Sequence, residues 1–164
     1  MKFSITHDYN ISADDLWKHL FDPELEASVK QAADLAEFDV KSRKEGDLLI
    51  RDVRVLPNID LPGPLRKVFG DSIGYREEDR VPQDGSMEYS WKARPDTLAD
   101  KVKMEGVFRV EPIDEGRCRR VIEGEVQVKI FGVGGMAEKF MLGELKKSYA
   151  KVAAEQERWI KAKG

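Results

Sequence analysis

The sequence predicts an α+β domain in which a seven-stranded antiparallel sheet curls around one long C-terminal helix, with two short helices following the first strand. Three observations lead there. Apolar residues alternate with period two through residues 2–11 and again from 35 to 130. Turn signals at Lys44-Glu45-Gly46-Asp47, Gln83-Asp84-Gly85 and Asp114-Glu115-Gly116 cut the second region into hairpins. From Met136 to near Lys163 the period becomes helical. A chain of 164 residues suits one domain, 1–164, whose core needs no disulfide or metal.

In the first strand Phe3, Ile5, His7, Tyr9 and Ile11 share one face, opposite Lys2, Ser4, Thr6 and Asp8. Ser12 then stands as an N-cap with Asp15 three positions on, and Ile11 is spaced to staple onto Leu16. Leu16, Trp17, Leu20 and Phe21 recur at helical spacing until Asp22-Pro23, where proline at a first helical position starts a second helix buried through Leu25 and Val29. The period-two region reads as strands over 35–43, 48–56, 72–81, 87–94, 101–112 and 117–130. Gly106 and Gly124 lie inside two of these, where a missing side chain marks a bend, a bulge or a close backbone approach, so the sheet is expected to curl there. The final helix, about 40 Å long at about 1.5 Å per residue, carries Met141, Leu145, Ser148 or Tyr149, Val152, Gln156, Trp159 and Ile160 on one stripe. A large apolar side chain gains about 1.5 to 3 kcal/mol on full burial, so that stripe needs a sheet to cover it.

Composition excludes several classes. Charged residues make up 36% of the chain, but the signs are mixed and 41% is hydrophobic, which argues for a folded domain over a disordered one. A net charge of −3 leaves no broad basic face for nucleic acid. Cys118 is the only cysteine, so no intramolecular disulfide can form and a reducing, cytoplasmic location is expected. No apolar run has the length of a signal-peptide core or a bilayer span. Two histidines and one cysteine leave no set for a zinc or iron site, the acids lack calcium-loop spacing, and neither a metal nor another cofactor is expected. Gly132, Gly134 and Gly135 superficially match a dinucleotide-binding loop, but they follow an antiparallel strand and lead into the last helix, which suits a portal hinge or a tight turn.

The order of elements resembles the START-like superfamily, also called the SRPBCC, helix-grip or polyketide cyclase and lipid transport superfamily. Tyr9-Asn10-Ile11-Ser12-Ala13-Asp14-Asp15-Leu16-Trp17 through Asp22-Pro23 is similar to its opening. Leu61 to Gly70, Gly124 to Ile130, Gly132-Val133-Gly134-Gly135 with Glu138-Lys139, and Arg158-Trp159 resemble its bacterial branch known as domain of unknown function 2505. The resemblance implies a helix-grip fold enclosing a cavity, and a hydrophobic ligand such as a lipid, fatty acyl or polyketide-like molecule, bound or transported without catalysis. Function on this fold still has to be argued from the site.

Alternation and helix phase then give the lining residues: His7 and Tyr9, Tyr89 and Trp91, Met104 and Phe108, Arg120, Ile122 and Val126, with Met141, Leu145 and Tyr149 from the helix. The same side chains also suit a solid core, the interior of a protein-binding module. His7, with apolar neighbours and a pKa ordinarily near neutrality, suits either a packed residue or, beside a tyrosine, the acid–base group of a cyclase or dehydratase. No nucleophile is marked in the sequence, and no catalytic residue is assigned. Arg120 shares parity with Ile122, which points it at a ligand carboxylate or phosphate or else at water beyond an open strand end. Pro57, Pro62 and Pro64 interrupt the hairpin rhythm before Leu65, Arg66, Lys67, Val68 and Phe69, which read as a lid, a peripheral membrane contact or a structural helix.

Overall fold

A computed structural model describes residues 1–164. Its elements follow the predicted order: β1 (Lys2–Tyr9), α1 (Ala13–His19), α2 (Pro23–Ala32), β2 (Leu35–Glu45), β3 (Leu48–Pro57), α3 (Gly63–Phe69), β4 (Tyr75–Pro82), β5 (Glu88–Pro95), a 3-10 turn (Ala99–Lys101), β6 (Val102–Asp114), β7 (Arg117–Val128) and α4 (Gly134–Lys163). The caps act as the sequence implies. Ser12 accepts from the Asp15 amide at 3.1 Å, and the Asp22 carboxylate accepts from the Glu24 amide at 2.8 Å with Pro23 opening α2.

All seven strands form one antiparallel sheet in the order β1-β7-β6-β5-β4-β3-β2. The three turn signals close β2 on β3, β4 on β5 and β6 on β7. α1 and α2 carry the chain from one edge of the sheet to the other, and α4 lies across its concave side, packed chiefly on α2, β7 and β1.

The curl has a local cause. Trp91, Gly106, Gly124 and Phe3 form one row across β5, β6, β7 and β1. A Cβ on Gly106 would stand 1.9 Å from the Glu123 carbonyl oxygen, and one on Gly124 would stand 2.7 Å from the Trp91 ring. The two glycines let the backbones close together while the Phe3 and Trp91 rings, 6.2 Å apart between centroids, cover the gap. At the far end of β7, Gly132 turns with φ +82° and a Cβ on Gly134 would fall 2.4 Å from the Val128 carbonyl oxygen, so this glycine run is a tight strand-to-helix turn.

Candidate ligand cavity

Between the sheet and α4 part of the interior is unfilled. Two adjoining chambers of about 160 and 140 Å³ share Leu35, Val55, Tyr75, Leu145 and Ser148 as walls. The outer one runs from Met104 and Met141 in the core to the surface, where exposed Asp34 and Asn58 face exposed Lys147 and Lys151 of α4. The Asn58 amide donates to the Asp34 carbonyl at 3.1 Å and its side-chain NH₂ to the Asp34 carboxylate at 3.0 Å, which fixes one lip of this mouth. The inner chamber is walled by aromatics, with Tyr89 stacked on Phe108 at 4.6 Å, and carries charge at both ends.

At one end Arg120 is fully buried and has no acid partner. It donates to Tyr9 Oη at 2.9 Å, His7 Nδ1 at 2.8 Å, the Tyr149 carbonyl at 3.1 Å and Gln156 Oε1 at 3.4 Å. The Tyr149 ring lies 5.2 Å from the guanidinium carbon. Tyr9 in turn donates to Gln156 Oε1 at 2.6 Å, and burial pushes its pKa up to about 12. Burial, aided by the Arg120 charge, lowers the His7 pKa, so the ring stays neutral and offers Nδ1 as acceptor.

At the other end Arg51 stacks on the Phe21 ring at 4.3 Å, donates to Glu26 at 2.8 Å and lies 3.8 Å from Asp79. Asp79 and Glu77 project from β4 into the same chamber. Glu77 retains some exposed area, but that area faces the chamber, so it shares the buried environment of Asp79. Burial raises the pKa of both carboxyls, and for Asp79 the neighbouring Glu77 raises it further. A carboxyl with a raised folded-state pKa contributes its full stability below the ordinary carboxylate range and loses it as pH climbs through the raised value. Asp79→Asn is therefore expected to match the wild type near about pH 4 and to exceed its stability by about 1 kcal/mol or more at neutral pH. Urea titrations across that range check it.

The structure brings seven of the twelve expected lining residues to the two chambers, Tyr89, Met104, Phe108, Arg120, Met141, Leu145 and Tyr149, and Trp91 to a small separate pocket beside Met104 and Tyr149. The other four border none of these. Ile122 and Val126 are packed in the core, while His7 and Tyr9 sit behind Arg120 and hold it. Of the expected lid, Leu65 and Phe69 are buried, Val68 is half-buried, Arg66 donates to the Leu61 carbonyl at 3.1 Å, and only Arg66 and Lys67 face water. None of the five lines a chamber, because the apolar side of α3 turns into the core. Pro57, Asn58, Ile59 and Ile73, flanking α3, line the mouth instead. Sequence reasoning missed Arg51, Glu77 and Asp79. The available signal was parity, since Tyr75, Glu77, Asp79 and Val81 share one face of β4.

Comparison with known proteins bears on the fold. Residues 4–160 match the family described as Protein of unknown function (DUF2505). No curated protein matches the sequence. Among solved structures, the Zhui aromatase/cyclase from Streptomyces sp. R1128 is 15% identical with a TM-score of 0.71, covering 100% of this chain and 98% of that one. A START superfamily protein from Mycobacterium smegmatis is 17% identical with a TM-score of 0.61, over 96% and 98% of the two chains. A truncated norcoclaurine synthase from Thalictrum flavum is 18% identical with a TM-score of 0.59, over 93% and 92%. At these identities the likeness shows the fold, and the family match spans nearly the whole chain; the protein belongs to the DUF2505 family and has the START-like helix-grip fold.

Proposed function

We propose that this protein binds a compact hydrophobic molecule in the paired chambers and carries or presents it unchanged. The observation that carries this reading is the unfilled, aromatic-walled space with a mouth between Asp34–Asn58 and α4. Protein interiors are otherwise close-packed, and a lined, open space of this kind suits a small-molecule ligand. Each chamber is comparable to the apolar cavity of about 150 Å³ that admits benzene. The ligand is accordingly one or two rings, or a ring with a short chain, and not a whole phospholipid. Cytoplasmic location is part of the proposal, supported by the single buried cysteine. No helix is long and apolar enough to cross a membrane. Any transient membrane contact rests on the exposed Phe131 and Met136 before and within α4, since α3 is turned inward.

Ser148 tests the reading, because it is small, half-buried and borders both chambers. Ser148→Phe is expected to weaken binding of an apolar fluorescent dye at least tenfold while the urea midpoint stays close to the wild type. Unchanged dye binding would mean that the dye sits elsewhere and that the chambers are not the site.

A second, enzymatic reading draws on the Glu77 and Asp79 carboxyls, which can hold and release protons inside the chamber. The version built on His7 has less support, since His7 borders neither chamber and its Nδ1 is engaged by Arg120. The solid-core module is disfavoured by the chambers themselves.

A further inference from the structure

We infer that the ligand carries a positively charged amine, received by Glu77 and Asp79 in the inner chamber; this rests on the hydrophobic-ligand reading and narrows its chemistry. Glu26, Glu77 and Asp79 place three carboxyls around one guanidinium, Arg51, whose single charge cannot match all three and whose Nε makes no hydrogen bond. Its hydrogen bond goes to Glu26 at 2.8 Å and its face to the Phe21 ring, leaving Asp79 at 3.8 Å from Nε. Asp79 is 3% exposed, and its Oδ1 has no hydrogen-bond partner.

The second cation of the chamber cannot balance this excess. Arg120 has turned both terminal nitrogens to neutral acceptors on Tyr9, His7, Tyr149 and Gln156. That commitment also weakens the case for a ligand carboxylate at Arg120, whose free donor, Nε, is buried. Trp91, 7% exposed, lines a small pocket shared with Glu77, Tyr75 and Tyr149; its indole N–H has no partner and, as a donor, calls for an acceptor on the ligand beside the amine.

Buried carboxyls in excess of their cations lower stability, and burial raises the pKa of this pair, favouring the protonated form. An ammonium group would replace that proton and supply the missing cation and its three donors. The surrounding Tyr75, Tyr89 and Tyr149 rings favour the same charge, because ring faces attract cations. The rest of the ligand would extend past Ser148 and Leu145 into the outer chamber.

The test is a matched series titrated by calorimetry: 4-phenylbutylamine, 4-phenylbutanol and 4-phenylbutyrate, which share a ring and chain and differ at the polar end. The amine is expected to bind at least tenfold tighter than the alcohol, with the carboxylate weakest. The Glu77→Gln/Asp79→Asn double variant should lose the preference and keep the wild-type affinity for the alcohol; Glu77→Gln alone should show part of the loss if the double variant does not fold. Equal affinities across the series, or a tighter carboxylate, would overturn the amine while leaving the hydrophobic cavity standing. Failure of all three to bind would overturn both.

Discussion

Arg120→Met is expected to lower stability by about 3 kcal/mol or more, seen as a fall in urea midpoint at unchanged slope. The substitution keeps most of the side-chain volume and removes every donor. Tyr9 Oη, His7 Nδ1 and the Tyr149 carbonyl then lose their shared donor, Tyr9 Oη keeping only its bond to Gln156. A hydrogen bond from a charged donor contributes about 1.5 to 3 kcal/mol, and the substitution removes those to all three groups together. Arg120→Lys should not restore stability, because one ammonium on a flexible stem cannot span acceptors on β1 and α4 as the planar guanidinium does. Tyr9→Phe, which removes the bonds to Arg120 and Gln156 together, should cost about 1 to 3 kcal/mol. An Arg120→Met protein within about 0.5 kcal/mol of wild type would show that the cluster is not a structural node.

Gly106→Ala carries the second large effect. Its Cβ would fall 1.9 Å from a carbonyl oxygen and 2.6 Å from the Gly124 Cα, both backbone atoms held by strand pairing. Relief requires β6 and β7 to separate where their backbones approach most closely to the added Cβ, so a loss of at least about 3 kcal/mol is expected, with misfolding as the extreme. Gly135→Ala provides the contrast: nothing lies within 4 Å of where its Cβ would stand, and in the first turn of α4 alanine should add a few tenths to about 1 kcal/mol. Thermal unfolding of the pair separates steric closure from the general cost of replacing glycine.

The fold was legible because its signals were local and agreed with one another. Ser12, Asp22-Pro23, the three turn sequences and the switch to helical period after Gly135 each mark a boundary that the structure uses. The aromatic and methionine half of the cavity was legible for the same reason, since Tyr89 on β5 and its partner Phe108 on β6 follow cleanly from alternation. The charged half was hidden. On β4 the inward Glu77 and Asp79 stand among outward Arg76, Glu78 and Arg80, so both faces look polar and no period shows. Arg51 was concealed differently, as one inward charge in the apolar run of β3. The short helix α3 presented apolar and basic residues together, a pattern compatible with a lid or a membrane contact, and only tertiary packing shows that Leu65 and Phe69 point inward. Strand parity separates the faces of a sheet, but it does not distinguish a side chain that borders a void from one that is packed solid; Ile122 and Val126 belong to the second kind.

The most direct test is native mass spectrometry of the full chain after gentle purification, followed by organic extraction and identification of what is released. The expected result is a one-to-one adduct of low mass, matching a molecule of one or two rings or a ring with a short chain, that disappears in Ser148→Phe. A protein recovered empty, which also takes up nothing from a broad set of small apolar compounds, would contradict the claim that the chambers between the sheet and α4 exist to hold a guest.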